Sequence, residues 1–256
     1  MILADPKTHD EWLSARCAGI GGSDAACVLG MNKYKTNVQL WQEKTGVFKP
    51  KDISNKPAVA YGKNAEIHLR ELFRLDFPQY DIEYHEYRMY ANDKYPFIFA
   101  TLDGELTDES GKKGILEIKT TTIQNSSQWD EWDGGVPQNY YIQVLHQMLA
   151  TGWNFAVLKA HIRYFKNNDI CTATRHYFID RNEVQEDIKT LLEAEIKFWE
   201  HVQNKTKPAL RPGKQTHTET KGARKTLPDE LKNVEGLGIM DAFGIEIHKG
   251  RFLHVS

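Results

Sequence analysis

FIFATLDGEL (residues 97–106) and GILEIKTT (residues 114–121) are two short apolar runs that each end in a carboxylate. Asp103 closes the first and Glu117 the second, with Lys119 two residues on. Alternate residues of a strand share a face. Phe97, Phe99, Thr101 and Asp103 are therefore expected to point one way, and Ile115, Glu117 and Lys119 to line one face of the next strand. TDESGKKG (107–114) between them is rich in glycine and polar residues and reads as a hairpin connection. Pairing of the two strands brings Asp103 and Glu117 to one end of a sheet with an ammonium beside them. Buried like charges repel strongly unless a cation sits between them. For oxygen-only ligands that cation is a hard divalent metal, with Mg2+ the first choice.

Upstream, residues 9–18 read as a helix with Thr8 as its cap. GIGGSDAACVLG (19–30) follows, where Ser23 is expected to cap a short apolar helix that Gly30 stops. A glycine-lined turn opening a helix is an anion site in waiting, since free N–H groups and the helix dipole point outward. Arg16 precedes this turn, and Lys33 and Lys35 follow it. The plainer reading is a tight turn and a cap, and no GxxxxGK[ST] is present, which excludes a nucleotide P-loop. Residues 37–46 read as a helix, 47–57 as a loop, and 62–77 (GKNAEIHLRELFRLDF) as a strong helix with Glu66 at the edge of its apolar stripe. Most such glutamates reach out to water; the alternative is a third carboxylate aimed at Asp103 and Glu117.

Residues 81–90 alternate like a strand. Trp129 and Trp132 lie in a polar segment read as a surface loop stapled to the body by its indoles. Residues 136–152 form the best-marked helix, with Pro137 in its first turn and Gly152 at its stop. Tyr141, Val144, Leu145, Met148 and Leu149 form its apolar face; Tyr140, Gln143 and Gln147 form a polar one. Residues 155–165 and 171–179 read as a hairpin of long strands. Asp180 with Glu183 reads as a capping box for a helix running to about residue 204. Residues 205–225 then carry seven Lys/Arg against the single acid Glu219. The expected organisation is one domain over 1–204 and an extension over 205–256, flexible at its basic start, with an α/β or α+β sheet core covered by helices.

The 256 residues, 40% of them hydrophobic, suffice for one good core. A net charge of -2 excludes a polycation, but a local groove can still be basic. Cys17, Cys27 and Cys171 lack CxxC spacing, which argues against a cysteine-built zinc or iron–sulfur site and fits a reducing cytosol. MILADPKTHDEW lacks the basic and long apolar regions of a signal peptide, and no apolar run approaches the roughly 20 residues of a membrane span. The expectation is a soluble cytoplasmic protein without membrane partners.

RCAGIGGSDAACVLG, YGKNAE, ATLDGEL, LEIKTTT and NYYIQVLHQML, in that order, resemble the PD-(D/E)XK nuclease superfamily. Within it the chain resembles the phage lambda exonuclease / YqaJ-type viral recombinase family, over roughly residues 12 to 200. D-x13-E-x-K alone recurs by chance; the full combination in this spacing is far more specific. The resemblance implies a restriction-endonuclease-like core, a mixed central β-sheet flanked by helices. It assigns Asp103, Glu117 and Glu66 as metal ligands assisted by the Ile118 carbonyl, Lys119 as the group that positions or activates water, and Gln143 as an orienting residue. It places Arg16, Ser23 and Thr101 at the 5'-phosphate of the digested strand, with Lys33 and Lys35 as candidates for a further basic residue there. His146 stands where a tyrosine is common.

The implied activity is Mg2+-dependent (or Mn2+-dependent) 5'-to-3' exonuclease digestion of linear double-stranded DNA, with one or two ions per site. It would leave a 3' single-stranded overhang for phage-type recombination. The implied partners are DNA ends, two further copies in a homotrimeric ring, and a single-strand annealing protein, in a bacterial host carrying a phage or prophage. A site- or structure-specific endonuclease on the same core, and a non-catalytic DNA-end-binding protein, are the competing readings.

Overall fold

The structure is a computed structural model that describes residues 1–167 and 169–211, with the backbone of 223–224, 245–248 and 251–254. The chain begins with β1 (Ile2–Ala4) and α1 (His9–Arg16), the latter closed by a capping box between Thr8 and Glu11. The short α2 (Gly22–Val28) and α3 (Asn37–Lys44) follow, then the long α4 (Pro57–Asp76). Helix α4 starts five residues before the expected residue 62, because Pro57 at its first turn has no N–H to leave unpaired.

The expected strand over 81–90 is split into β2 (Asp81–Glu83) and β3 (Met89–Ala91), which belong to different sheets. The run 97–106 divides in the same way. Phe99–Ala100 forms β4, which joins β1 and β3 in a three-stranded sheet, and Gly104–Thr107 forms β5. The single strand expected over 97–103 is thus corrected: the chain crosses between two sheets at residues 101–103. Phe99 is drawn to one core, with Met89 and Ala91, and Leu106 to another, with Leu69 and Phe73. One flat strand cannot serve both.

The central sheet contains β2, β5, β6 (Lys113–Ile123), β7 (Phe155–Lys166), β8 (Asp169–Asp180) and β9 (Ala223–Arg224), in that order. It is mixed: β6 and β7 run parallel and the other neighbours antiparallel. A parallel pair needs a crossover, supplied by α5 (Ser126–Asp130) and α6 (Gln138–Thr151). Gly152 ends α6 at φ 76°, the left-handed conformation that favours glycine. After β8, Asp180 caps a 3-10 turn at Arg181–Val184 rather than the helix itself, and α7 (Gln185–Gln203) begins behind it.

Helices cover both faces, as expected. On one, Leu69, Phe73 and Phe77 meet Leu106, Leu116, Ile118 and Val157. On the other, Val144, Leu145 and Met148 of α6 meet Ile115, Ala156 and Leu158. Each fully buried aliphatic side chain here stabilises by roughly 1.5–3 kcal/mol. The alternation along β6 sends Leu116 and Ile118 to α4 and Ile115, Glu117 and Lys119 to α6. Trp132 is buried, with its carbonyl accepting from Tyr177 Oη and Arg175 Nη1, each at 2.5 Å. Trp129 packs edge-on to Tyr164. Both indoles therefore hold the 124–135 segment to the body.

Residues 205–211 fold back from α7 onto the start of the chain. Asn37 Nδ2 donates to the Ala209 carbonyl at 2.8 Å, and Arg211 N donates to Asn37 Oδ1 at 3.0 Å. Of the remaining extension, two backbone segments, Ile245–His248 (β10) and Arg251–His254 (β11), pair antiparallel. The basic stretch otherwise lies outside the described residues. Among the described residues no helix is long and apolar enough to cross a membrane.

Candidate active site

Strand β5 ends its pairing with β6 at Gly104 opposite Leu116, so β6 has no neighbour on that side beyond this point. Asp103 sits just before β5, at the mouth of this gap, and its Oδ2 accepts from the Ile118 N–H at 2.8 Å. The unpaired strand edge thus grips the carboxylate. Glu117, 1% exposed, points to the α6 face. Its Oε1 accepts from Gln143 Nε2 at 2.7 Å and its Oε2 from Gln147 Nε2 at 2.5 Å; Lys119 Nζ lies 2.5 Å from Oε1. From the other face α4 contributes Glu66. Arg70, one turn on, donates to Glu66 Oε1 at 2.7 Å and to the Asp103 carbonyl at 2.6 Å.

The charges follow from this packing. Burial raises Asp103 well above the usual carboxylate range, and the negative charges of Glu117 and Glu66 raise it further. Burial also raises Glu66; the Arg70 guanidinium works against this, and Glu117 adds to it. Burial by itself would lower the Lys119 ammonium, but Glu117 and Asp103 reverse the sign and its pKa is raised. Lys119 is a firmly protonated cation among carboxylates that repel one another.

Glu66, Asp103 and Gln143 line a cavity of about 590 Å³ that Arg16, Ser23 and Thr101 also line. Arg16 Nη2 donates to Ser23 Oγ at 2.9 Å, and the guanidinium lies 4.6 Å from the Trp12 ring centroid. Trp12 Nε1 donates to Thr101 Oγ1 at 3.0 Å. Ser23, expected to cap α2, does not do so. Gly21 holds that position and Asp24 Oδ2 accepts from its N–H at 3.3 Å, which frees the Ser23 hydroxyl for Arg16. Burial would raise Asp24, but Lys44 and Arg16 beside it more than offset this and hold it low. The turn is fixed by a parallel bridge between Ile20 and Ile98, with Ile20 N donating to the Phe97 carbonyl at 2.6 Å.

Lys33 and Lys35 do not line the cavity. Lys35 pairs with Glu43 at 2.6 Å, and Lys33 lies over the Tyr34 ring. The basic groups around the cavity are instead Lys63 and Arg70 on its wall, and Lys44, which bonds Asp24 and the Arg16 carbonyl behind it. Arg70 and Gln147 also went unassigned in the sequence. Each stands four residues from an assigned partner, Glu66 and Gln143, and so shares its helix face; that spacing was the available signal. His146 has a structural place. It is fully buried, with Nδ1 2.7 Å from Glu195 Oε1 and Nε2 2.8 Å from the Phe99 carbonyl.

The donor set fits a hard divalent cation. Glu66, Asp103 and Glu117 offer only oxygens, and among the described residues neither Asp103 Oδ1 nor Glu66 Oε2 has a hydrogen-bond donor. Their oxygens do not all converge within 4.8 Å, in keeping with their mutual repulsion. A second acidic cluster does converge that closely: Glu83, His85 and Glu105, on β2, the turn after it and β5. It too is consistent with a divalent-metal site, although Arg88 Nη1, 3.8 Å from Glu105 Oε1, competes for that carboxylate.

A mixed sheet with a carboxylate–lysine centre at a strand edge defines the general class, and comparison with known proteins narrows it. The chain belongs to the YqaJ-like viral recombinase domain family, which it matches over residues 11–154. It is 32% identical over 192 residues to an uncharacterized protein, YqaJ, of Bacillus subtilis (strain 168). That match covers 75% of this chain and 56% of the relative, so the chain spans about half the length of that protein. The fold is similar to the crystal structure of an alkaline exonuclease (LHK-Exo) from Laribacter hongkongensis, at a TM-score of 0.53 and 17% identity, covering 76% of this chain and 95% of that one. The same exonuclease in complex with dAMP matches at a TM-score of 0.51 and 16% identity, with the same coverage.

Proposed function

We propose that the chain is a metal-dependent deoxyribonuclease, a 5'-to-3' exonuclease on linear double-stranded DNA that serves phage-type recombination in the bacterial cytoplasm. The observation that carries this reading is that one cavity holds both Glu66 and Asp103 and the Arg16–Ser23 pair. The carboxylates suit a phosphodiester under attack, and the guanidinium with its hydroxyl suits a terminal phosphate. The nuclease unit on this reading is residues 1–204, with 205–256 an appended extension.

Asp103, Glu117 and Glu66, with the Ile118 carbonyl, would hold one or two Mg2+ ions, Mn2+ being the alternative. Such an ion lowers the pKa of bound water and offsets charge on the phosphoryl oxygens. Lys119, held protonated by its neighbours, stabilises negative charge developing at the reacting phosphate. Gln143 and Gln147 fix the Glu117 carboxylate in one rotamer. Arg16 and Ser23 take the 5'-phosphate, Trp12 braces Arg16 from below, and Thr101 ties that pocket to Asp103 two residues on. The Trp12–Thr101 hydrogen bond makes this link physical rather than sequential.

The product on this reading is a duplex with a 3' single-stranded overhang. A homotrimeric ring around the DNA and hand-over to a single-strand annealing protein complete the proposal. The test is digestion of linear duplex in Mg2+ with and without a 5'-phosphate. Removing the phosphate should slow the reaction by about 10-fold or more, the worth of one charge-assisted contact set. Cutting of closed circular duplex by the pure protein would instead favour an endonuclease on the same core.

A further inference from the structure

Strands β6, β7 and β8 run on past the end of α4, leaving part of one sheet face uncovered. On that face the register sets out successive rows. Ile118, Lys159 and His176 form the row beneath α4. Thr120, His161 and Thr174 form the next, and Thr122, Arg163 and Thr172 the one beyond, where Thr122 and Thr172 are exposed. Neither of these outer rows contains a carboxylate.

Tyr61, near the start of α4, leans over them. Its hydroxyl lies 3.1 Å from His161 Nε2, and the Arg163 guanidinium lies 4.3 Å from its ring centroid. Burial and the charges of Arg163 and Lys159 hold His161 below its ordinary value, which leaves a neutral ring paired with the Tyr61 hydroxyl. Among the described residues Arg163 has no acidic partner. A guanidinium stacked on an aromatic ring keeps its in-plane N–H donors free. At the far tip, on the same face, Phe165 and Ile170 face each other across the hairpin, 60% and 57% exposed.

This face adjoins the catalytic residues. Thr120 follows Lys119 directly, though Lys119 itself points to the α6 face, and the Arg163 row lies about 7 Å beyond Thr120 at the usual rise per residue. Because β6 is an unpaired edge beyond Leu116, only the width of that one strand separates the track from the carboxylates.

We propose that this carboxylate-free face is a track for single-stranded DNA leaving the catalytic centre, in which Arg163, braced on Tyr61, takes a backbone phosphate. The proposal rests on the nuclease reading for its direction but not for its chemistry. A cation with no acidic partner among the described residues, hydroxyl donors in register and an exposed aromatic at the end are what a strand needs to bind without sequence preference. Charge complementarity selects this occupant over a second copy of the chain, which would seek the apolar tip alone.

The test is fluorescence anisotropy of labelled oligo(dT), about sixteen nucleotides long and lacking a 5'-phosphate, with full-length protein in EDTA. Arg163→Ala should weaken binding about 5- to 10-fold and reduce the slope of log K against log salt by about 0.7, the share of one phosphate on a single strand. Thr122→Glu, at an exposed position, should weaken binding comparably by placing a carboxylate on the track. Unchanged affinity and slope in both variants overturn the proposal. So does a change in the sedimentation of the DNA-free variants, which would make this face an interface between copies. Wild-type digestion of linear duplex is measured in parallel: it decides the nuclease reading, while the oligo(dT) result decides the track.

Discussion

Asp103 is gripped by one backbone N–H while its burial, Glu117 and Glu66 all oppose its ionisation. A carboxyl whose folded pKa exceeds its unfolded value binds its proton more tightly when folded. Stability is therefore lost as pH rises from about 4 through the raised value. Two outcomes follow at the scale of this residue. Asp103→Asn keeps an acceptor for Ile118 N–H and removes the repulsion, so the metal-free variant should melt higher than wild type at neutral pH, by about 2–4 °C for each kcal/mol relieved, while losing cleavage by about 10²-fold or more. A lower melting temperature for Asp103→Asn would contradict the charge assignment. Added Mg2+ should raise the wild-type melting temperature more at about pH 8 than at about pH 5, since ligands must be deprotonated to bind. An increment that does not grow with pH speaks against metal at these carboxylates.

The same residue scale explains what could be read from the chain. Asp103, Glu117 and Lys119 stood out because their spacing is local and their chemistry awkward to bury; Glu66, far upstream on a helix edge, was left open until the family resemblance assigned it. Arg70 and Gln147 were less so, since an arginine or glutamine on a helix face is ordinarily solvated. Lys33 and Lys35 were read as pocket residues on proximity in sequence, and Glu43, eight residues from Lys35, takes that ammonium instead.

Between elements, the site depends on how α6 and α7 lock the strands. Both ring nitrogens of His146 face acceptors, so the ring is an imidazolium donating twice, and Glu195 raises its pKa against the burial that would lower it. A raised histidine contributes stability that is fully present below its unfolded value, about 6.5, and lost as pH climbs through the folded one. Glu195→Ala should therefore cost about 3–5 kcal/mol in urea unfolding at about pH 6, and the gap to wild type should narrow at about pH 9. A gap independent of pH would show that the pair is not ionic. At the α1–α2 turn, a Cβ on Gly19 would collide with the Phe97 carbonyl. Gly19→Ala should displace the Ile20–Ile98 bridge and weaken binding of 5'-phosphorylated ends more than binding of unphosphorylated ones, as read by competition. The elements were legible wherever one unbroken pattern ran the length of an element, as with α4, α6, β7 and β8. Residues 81–90 and 97–106 were not, because each is shared between two sheets and a period of two is the same in both.

Across the whole molecule, a sheet core covered by helices follows from the strand and helix patterns, and its mixed character from the family resemblance, but the geometry of the cavity beside Asp103 follows from neither. It is assembled from α1, the α2 turn, α4 and residues 99–103, segments brought together by long-range contacts that include Trp12–Thr101, Ile20–Phe97 and Arg70–Asp103. The central claim is that this assembly cuts DNA from its ends. The most direct measurement is digestion of linear duplex, labelled at either the 5' or the 3' terminus, by pure protein in Mg2+, beside a closed circle of the same sequence. The account predicts early release of 5'-labelled mononucleotide, late release of the 3' label, an intact circle, and no reaction with Asp103→Ala or Lys119→Ala. Equal release from wild type and both variants, or an inert wild type, would contradict it.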